Sequence, residues 1–347
     1  MNVSLNLVKW YNKNKRELPW RHTDNPYFIW LSEIILQQTR VSYGIKYYLE
    51  FIRTFPTIDS LANADEDHVL KMWQGLGYYS RARNLHKAAK KIQQNYSSKF
   101  PKQYEDIISL QGVGPYTAAA ISSFAFKLPY AAVDGNVIRF IGRFFGEEAP
   151  YDTYQGRKIY QNLANKILDK DNSAEHNQAI IEFGALLCTF RSPNCLECPF
   201  SCNCVAYNTN SIYNLPVKSK QIKVKDKYIH YLFIQKSNSI LLGKRKFGIW
   251  KGLYDLPSIE LSSYISEESI SQTKEWEYFF KNNDVQIEFV SEEYQHKLSH
   301  QFIHAKFWHV KSDNVKIKGF VEVDKEDIIH YPVSVLLHKF FCENNLN

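Results

Sequence analysis

Five of the six cysteines in this 347-residue chain lie within seventeen residues. Cys188, Cys195, Cys198 and Cys204 form a C-x6-C-x2-C-x5-C run directly after a helical segment, with Cys202 as a fifth thiol in the same loop. The N-terminal stretch MNVSLNLVKWYNKNKREL is amphipathic and reaches charge quickly, unlike a signal-peptide core. The most apolar stretch, Ala118–Phe126, is too short to span a bilayer. The expected setting is therefore the cytoplasm, nucleoid-associated in a prokaryote, with no membrane partner. Thiols stay reduced there, so clustered cysteines point to a metal centre and not to disulfides. Zinc sites usually pair two C-x2-C knuckles across a longer gap, whereas one compact loop supplies all four sulfurs here. That suits an iron–sulfur cubane better than zinc, which remains the alternative. Cys202 leaves a Cys198/Cys202 choice open, and Cys342 stands apart as a structural thiol.

The pattern on either side of this loop differs. From Leu5 to about Leu187, segments of helical periodicity are punctuated by Pro and Gly: Tyr27–Phe51, Asp65–Leu76, Ala82–Tyr96, Tyr104–Leu110, Pro115–Phe126, Asn136–Phe145, Tyr154–Leu168 and Glu175–Cys188. Residues 208–226 are polar and lysine-bearing and read as a linker. Beyond them Tyr228–Gln235, Ser239–Leu242, Val285–Val290 and Ala305–Val310 read as strands, around a helical segment near Glu267–Asn282. The expected organisation is an all-α region (1–207), a linker (208–226) and an α+β domain (227–347). A net charge of +7, concentrated in the helical part, is compatible with an anionic partner without requiring one.

Several motifs carry chemistry. In Leu110-Gln-Gly112-Val-Gly114-Pro115-Tyr116-Thr117, two glycines free the backbone just before a helix whose N-terminal N–H groups suit an anion. Taken alone it is equally an ordinary glycine turn. In Val133-Asp134-Gly135-Asn136-Val137, Asp134 suits a helix N-cap. Phe28-Ile-Trp30-Leu-Ser-Glu33-Ile-Ile-Leu36-Gln37-Gln38-Thr39-Arg40-Val41 places one carboxylate in a strongly apolar helix, with Trp30, Glu33 and Gln37 on one face by helical spacing. Taken alone, Glu33 reads equally as an acid on the helix's solvated stripe; apolar surroundings would instead favour its protonated form and a general-acid role. Leu76-Gly77-Tyr78-Tyr79-Ser-Arg81-Ala-Arg83 combines aromatic and basic residues; phosphate contact suits Arg81 and Arg83 better than a core does.

Taken together, the cysteine loop, the glycine hairpin, WLSEIILQQTRV and LPWR at Leu18–Arg21 resemble the MutY family, within the helix-hairpin-helix glycosylases of the endonuclease III group. The likeness spans roughly residues 5–310. It implies a six-helix barrel and cluster subdomain, with a [4Fe–4S] cluster held by Cys188, Cys195, Cys198 and Cys204 and Arg191 near phosphate. It implies Glu33 as general acid and Asp134 as the charge opposite an oxocarbenium-like state, with Tyr116 and Asn136 supporting them. Gly112 and Gly114 would hold the DNA backbone, and Gln38 and Tyr78 would refill the stack as a base leaves, aided by Thr39 and Leu76. Gln178 in Glu175-His-Asn177-Gln178 falls on the reader of the adenine edge, and Arg16, Arg21, Trp30 and Gln37 near the base pocket. Where bifunctional relatives carry a lysine nucleophile this chain has Tyr116, so it is expected to be monofunctional.

The segments Leu241–Arg245 and Gly248–Pro257 resemble the Nudix-like domain of MutY proteins, without the acidic REx2E box of Nudix hydrolases. A binding module is expected. His296-Lys297-Leu298-Ser299-His300 matches the family's Phe-Ser-His segment for 8-oxoguanine, with Leu298 replacing Phe; Ser299 and His300 keep their polar roles. The implied partner is double-stranded DNA bearing adenine opposite 8-oxoguanine or guanine, bound by a monomer. Two other readings are a glycosylase or lyase for a different base, which Tyr116 opposes as to the lyase, and a non-catalytic iron–sulfur DNA-binding protein, which Glu33 and Asp134 oppose.

Overall fold

The computed structural model describes residues 2–219, 224–236, 238–281, 285–312 and 314–346. The chain divides into two compact units, one of Met1–Asn63 with Asn84–Gln221 and one of Ala64–Arg83 with Ile222–Asn347.

The first unit is helical. At its centre lies helix Pro26–Leu36, started by Pro26 in the first turn and by Asn25, whose side chain accepts from the Tyr27 N–H. Residues on every side of it are buried, the pattern of a helix enclosed by others. It packs against Val41–Thr54 and Pro115–Phe126, and Ser173–Leu186 packs on Val3–Asn14, Pro115–Phe126 and Gly135–Phe145. Phe140, Phe183 and Phe200 meet edge to face and anchor the cluster of buried residues beneath the cysteine loop.

The helix expected over Tyr27–Phe51 is in fact two. It breaks after Leu36, where Gln38 adopts φ 59°, and resumes at Val41. The break owes nothing to Gly or Pro. The polar residues expected to link two domains also behave differently. Leu215 is buried, the Tyr151 N–H donates to the Val217 carbonyl, and the buried Arg143 guanidinium donates to the carbonyls of Ile212 and Leu215. Residues 208–219 are thus packed into the first unit, and 220–223 lie outside the described residues.

The second unit is built on one mixed sheet. Strand β1 (Lys225–Lys236) runs parallel to β7 (Gln301–Lys311) and antiparallel to β2 (Ser239–Lys244) and β4 (Ser258–Leu261). β2 also pairs antiparallel with β3 (Tyr254–Asp255) and β8 (Phe320–Asp324), and β7 with β5 (Gln286–Val290) and β6 (Tyr294–Lys297). Helix Val335–Glu343 contributes Leu336, Leu337 and Phe340 to the core beneath Tyr231 and Phe307. The α+β character expected of this region holds. The single helical segment near Glu267–Asn282 is two short helices, Glu267–Ile270 and Lys274–Phe280, and Asn282 lies outside the described residues.

Candidate active site

Glu33 is 7% exposed and lies on the face of helix Pro26–Leu36 that also carries Ile29, Ser32 and Leu36. These four line a small cavity with Arg16, Leu18, Trp20, Arg21, Tyr116, Gln178 and Glu182. Burial pushes the Glu33 carboxyl up to about 7; the Tyr116 hydrogen bond pulls it down and the nearby Asp134 raises it further. A carboxylic acid that is half protonated near neutral pH is suited to donating a proton.

Tyr116 sits in the first turn of helix Pro115–Phe126 and bonds to Glu33. Its own phenol is held well above the ordinary value by burial and by the two acids it faces, Glu33 and Asp134. Asp134 caps helix Gly135–Phe145, its Oδ1 accepting from the N–H groups of Asn136 (2.9 Å) and Val137 (2.8 Å). Its Oδ2 accepts from Asn136 Nδ2 at 2.7 Å. Burial raises the Asp134 carboxyl above the usual range, against these three donors and Arg139. The donors are fixed by the helix and favour the charged form. Arg139 in turn donates to Asn136 Oδ1 (2.8 Å) and to the Cys188 carbonyl (2.7 Å). Two acids of different environment thus meet at one phenol.

The cavity lining also includes a residue the sequence did not single out. Glu182, fully buried, accepts from the Arg16 backbone N–H (2.9 Å), Arg16 Nε (2.9 Å) and Nη2 (2.6 Å), and Arg21 Nη1 (3.1 Å) and Nη2 (2.8 Å). Burial opposes its charge, yet the hydrogen bonds from Arg16 and Arg21 prevail and hold the carboxyl at about 2. Its only signal in sequence is an acid four residues after Gln178 in an otherwise apolar stretch. Gln178, half-buried in the same helix, accepts from the Tyr11 hydroxyl at 2.9 Å.

The other expected site residues fall into separate groups. Trp30 is fully buried, packs on Tyr27 and Phe100 and does not line the cavity beside Glu33, so it is a core residue. Gln37 donates to Thr117 Oγ1 at 3.3 Å, and Gln38 projects from the helix break, exposed, beside half-buried Thr39. In the hairpin, Gly112 has φ 80°, and a Cβ there would lie 2.8 Å from Asn84 Cβ. Gly114 precedes helix Pro115–Phe126 with no side chain capping it.

In the second unit, Tyr78 is half exposed at φ 46° and its hydroxyl bonds to Ser299. Leu76, Tyr78, Trp250, His296, Leu298, Ser299 and His300 border a cavity of about 390 Å³. Ser299 and His300 form the tip of the β6–β7 hairpin, closed by the Leu298 N–H on the Gln301 carbonyl, and Leu298 packs toward the sheet core. Arg81 does not present itself to a phosphate. It is buried, donates to the carbonyls of Leu76 and Gly77 at 3.1 Å each and stacks over Trp73, and so holds the loop that carries Tyr78. Arg83 donates to the Lys251 carbonyl.

Cys188, Cys195, Cys198 and Cys204 border one small internal space lined by Phe140, Phe183 and Phe200, whereas Cys202 is exposed and does not line it. Burial pushes the Cys198 thiol up to about 12, and its three sister thiols add to the rise. Such a donor set needs a cation to become thiolate. Among the described residues no three His, Cys, Asp or Glu side chains are spaced to hold a single metal ion.

Residues 31–166 match the family model described as HhH-GPD superfamily base excision DNA repair protein. The adenine DNA glycosylase of Buchnera aphidicola subsp. Baizongia pistaciae is 37% identical over 304 residues, covering 85% of this chain and 82% of that protein. The human adenine DNA glycosylase is 38% identical over 210 residues, 58% of this chain and 38% of its own length. Among solved structures, a thermostable thymine-DNA glycosylase superposes with a TM-score of 0.56 at 28% identity over 59% of this chain and 95% of that one. An endonuclease III–DNA complex gives 0.53 at 22% identity over 60% and 94%, a likeness of fold. The class is that of helix-hairpin-helix base excision glycosylases. Within it, this chain belongs to the MutY-type adenine DNA glycosylase family.

Proposed function

We propose that the protein hydrolyses the N-glycosidic bond of adenine paired with 8-oxoguanine or guanine in duplex DNA. The observation that carries this reading is the Glu33–Tyr116–Asp134 constellation, in which one buried carboxyl keeps its proton to about 7 and the other is held by three donors. Extruded adenine enters the cavity and Glu33 donates its proton to the ring at N7, so that as the N9–C1′ bond breaks the base departs neutral. The ionised Asp134 stabilises the oxocarbenium-like sugar, as in glycoside hydrolysis generally, and water completes the reaction. Tyr116 bonds to Glu33 near Asp134 and offers no amine to trap the sugar, so strand cleavage is not coupled to excision.

Gln38 and Tyr78, exposed and in left-handed backbone, suit the refilling of a vacated stack, and the Gly112–Gly114 hairpin suits phosphate. Ser299 and His300, at the hairpin tip beside Tyr78, suit recognition of the oxidised purine, which gives the second unit a Nudix-like binding role. The four-cysteine space, small and lined by aromatic rings, suits a [4Fe–4S] cluster with Cys202 outside the ligand set. Such a cluster would fix the loop that follows helix Ser173–Leu186.

The test is single-turnover excision on duplexes carrying adenine opposite 8-oxoguanine, guanine or thymine. The expected order is strong, weaker and absent, with Glu33→Gln inactive yet still binding. Full activity in Glu33→Gln removes the assigned acid, and efficient crosslinking to DNA under a reducing agent removes the monofunctional reading.

A further inference from the structure

We infer that Tyr11 sets which purine the cavity accepts, by fixing the side-chain amide of Gln178. This rests on the reading above that Gln178 meets the base. Tyr11 comes from helix Val3–Asn14, is 5% exposed, and donates its hydroxyl to Gln178 Oε1 at 2.9 Å. Its ring cannot turn freely, because the Arg21 guanidinium lies over it at 5.3 Å from the centroid. Arg21 is pinned in its turn by Glu182 and by the Arg16 carbonyl at 2.7 Å. A chain of contacts therefore runs from a buried, ionised carboxylate through a guanidinium and a phenol to the amide that borders the cavity.

The chemistry of the amide gives this chain a purpose. A primary amide has one acceptor end and one donor end. It reads the N6/N7 edge of adenine with both ends only when the oxygen faces the amino group and the nitrogen faces N7. Rotated by half a turn, it offers a donor where a 6-oxopurine has its carbonyl. A phenol whose proton is given to Oε1 favours one of the two orientations, and the buried hydroxyl keeps that proton. With Tyr11 in place, adenine finds the amide already set, whereas a 6-oxopurine must break the phenol contact to turn it. Without the hydroxyl, the amide follows whichever base arrives.

The experiment compares single-turnover excision of adenine and of hypoxanthine, each opposite the same partner in the same duplex. Tyr11→Phe keeps the ring and removes one oxygen, and its melting midpoint is recorded beside the wild type. The expected result is a fall of about fivefold or more in the adenine-to-hypoxanthine ratio, the scale of one neutral hydrogen bond. Gln178→Ala should lower the ratio by itself, and adding Tyr11→Phe to it should change the ratio no further. An unchanged ratio in Tyr11→Phe overturns the inference, as does an effect that persists in full beside Gln178→Ala. A wild-type protein that excises no adenine instead overturns the activity itself, which separates the two failures. A simple packing role would lower the melting midpoint and both rates together without moving their ratio.

Discussion

Replacing Glu33 by glutamine should disable the enzyme and stabilise it, and the second effect can be sized from the structure. In the unfolded chain this carboxyl ionises near 4.5, whereas in the folded protein it keeps its proton to about 7. Between those values the folded state binds more protons than the unfolded one, so stability falls as pH rises. At about 1.36 kcal/mol per pH unit, the gap corresponds to roughly 3 kcal/mol, fully lost above about pH 8. Glutamine has nearly the same shape and does not titrate. The other groups in the protein cancel when the two proteins are compared at each pH. Glu33→Gln should therefore gain about 3 kcal/mol on the wild type between about pH 4 and about pH 8, and at 2–4 °C per kcal/mol for a unit of this size the melting midpoint should move by roughly 6–12 °C relative to it. Thermal unfolding followed by circular dichroism across that range measures the difference directly. A separation between the two midpoints that stays constant with pH would refute the assignment of a buried, proton-holding acid. The excision rate should meanwhile fall by about 10²–10⁴, the usual share of general acid catalysis.

Glu182→Gln should have the opposite sign. It leaves Arg16 and Arg21 without their shared partner, a loss of about 3–5 kcal/mol in denaturant unfolding at neutral pH. Because the native carboxyl is held at about 2, well below its ordinary 4.5, that stabilisation is present above 4.5 and should disappear as pH falls toward 2. Gln38→Gly should raise the free energy of unfolding, read in denaturant, by about 1 kcal/mol by relieving a left-handed residue, while reducing excision through loss of the side chain. Gly112→Ala should lower both stability and duplex affinity, by about 1–3 kcal/mol in stability, since its φ of 80° and the Asn84 side chain leave no place for a methyl group. Serine at Cys188, Cys195, Cys198 or Cys204 should abolish bound iron and visible absorbance in the purified protein, whereas Cys202→Ser should retain both.

The parts of the fold written in local chemistry were legible in the sequence. Helix Pro115–Phe126 appears with its expected bounds because a glycine turn and a first-turn proline start it. Asp134 caps the next functional helix as a carboxylate at that position should. The acid in an apolar helix is buried as its neighbours required. What could not be read depends on partners distant in sequence. The break at Gln38 carries no glycine or proline to announce it. Trp30 shares a helix turn with Glu33, yet faces the core because Phe100 and Tyr27 stand there. Arg81 looked like a surface cation until the carbonyls of Leu76 and Gly77 claimed its guanidinium. Glu182 and Tyr11 acquire meaning only when helices that are some 170 residues apart in sequence meet, as the Tyr11–Gln178 separation of 167 residues illustrates. Strands β3, β4, β6 and β8 are short, and their pairing is decided by the sheet and not by their own alternation.

Asp134 illustrates how tightly reactivity and architecture can share one side chain. The carboxylate whose charge acts on Tyr116 also ties down, through Oδ1, the first N–H groups of the helix leading to Arg139, and Arg139 reaches the carbonyl of Cys188. Truncating Asp134 to alanine would therefore unfasten a helix end as well as erase a charge, and its inactivity would say little about which loss mattered. Asparagine, which can still accept from the helix end, is the informative replacement: an inactive but fully folded Asp134→Asn protein would isolate the charge from the scaffold.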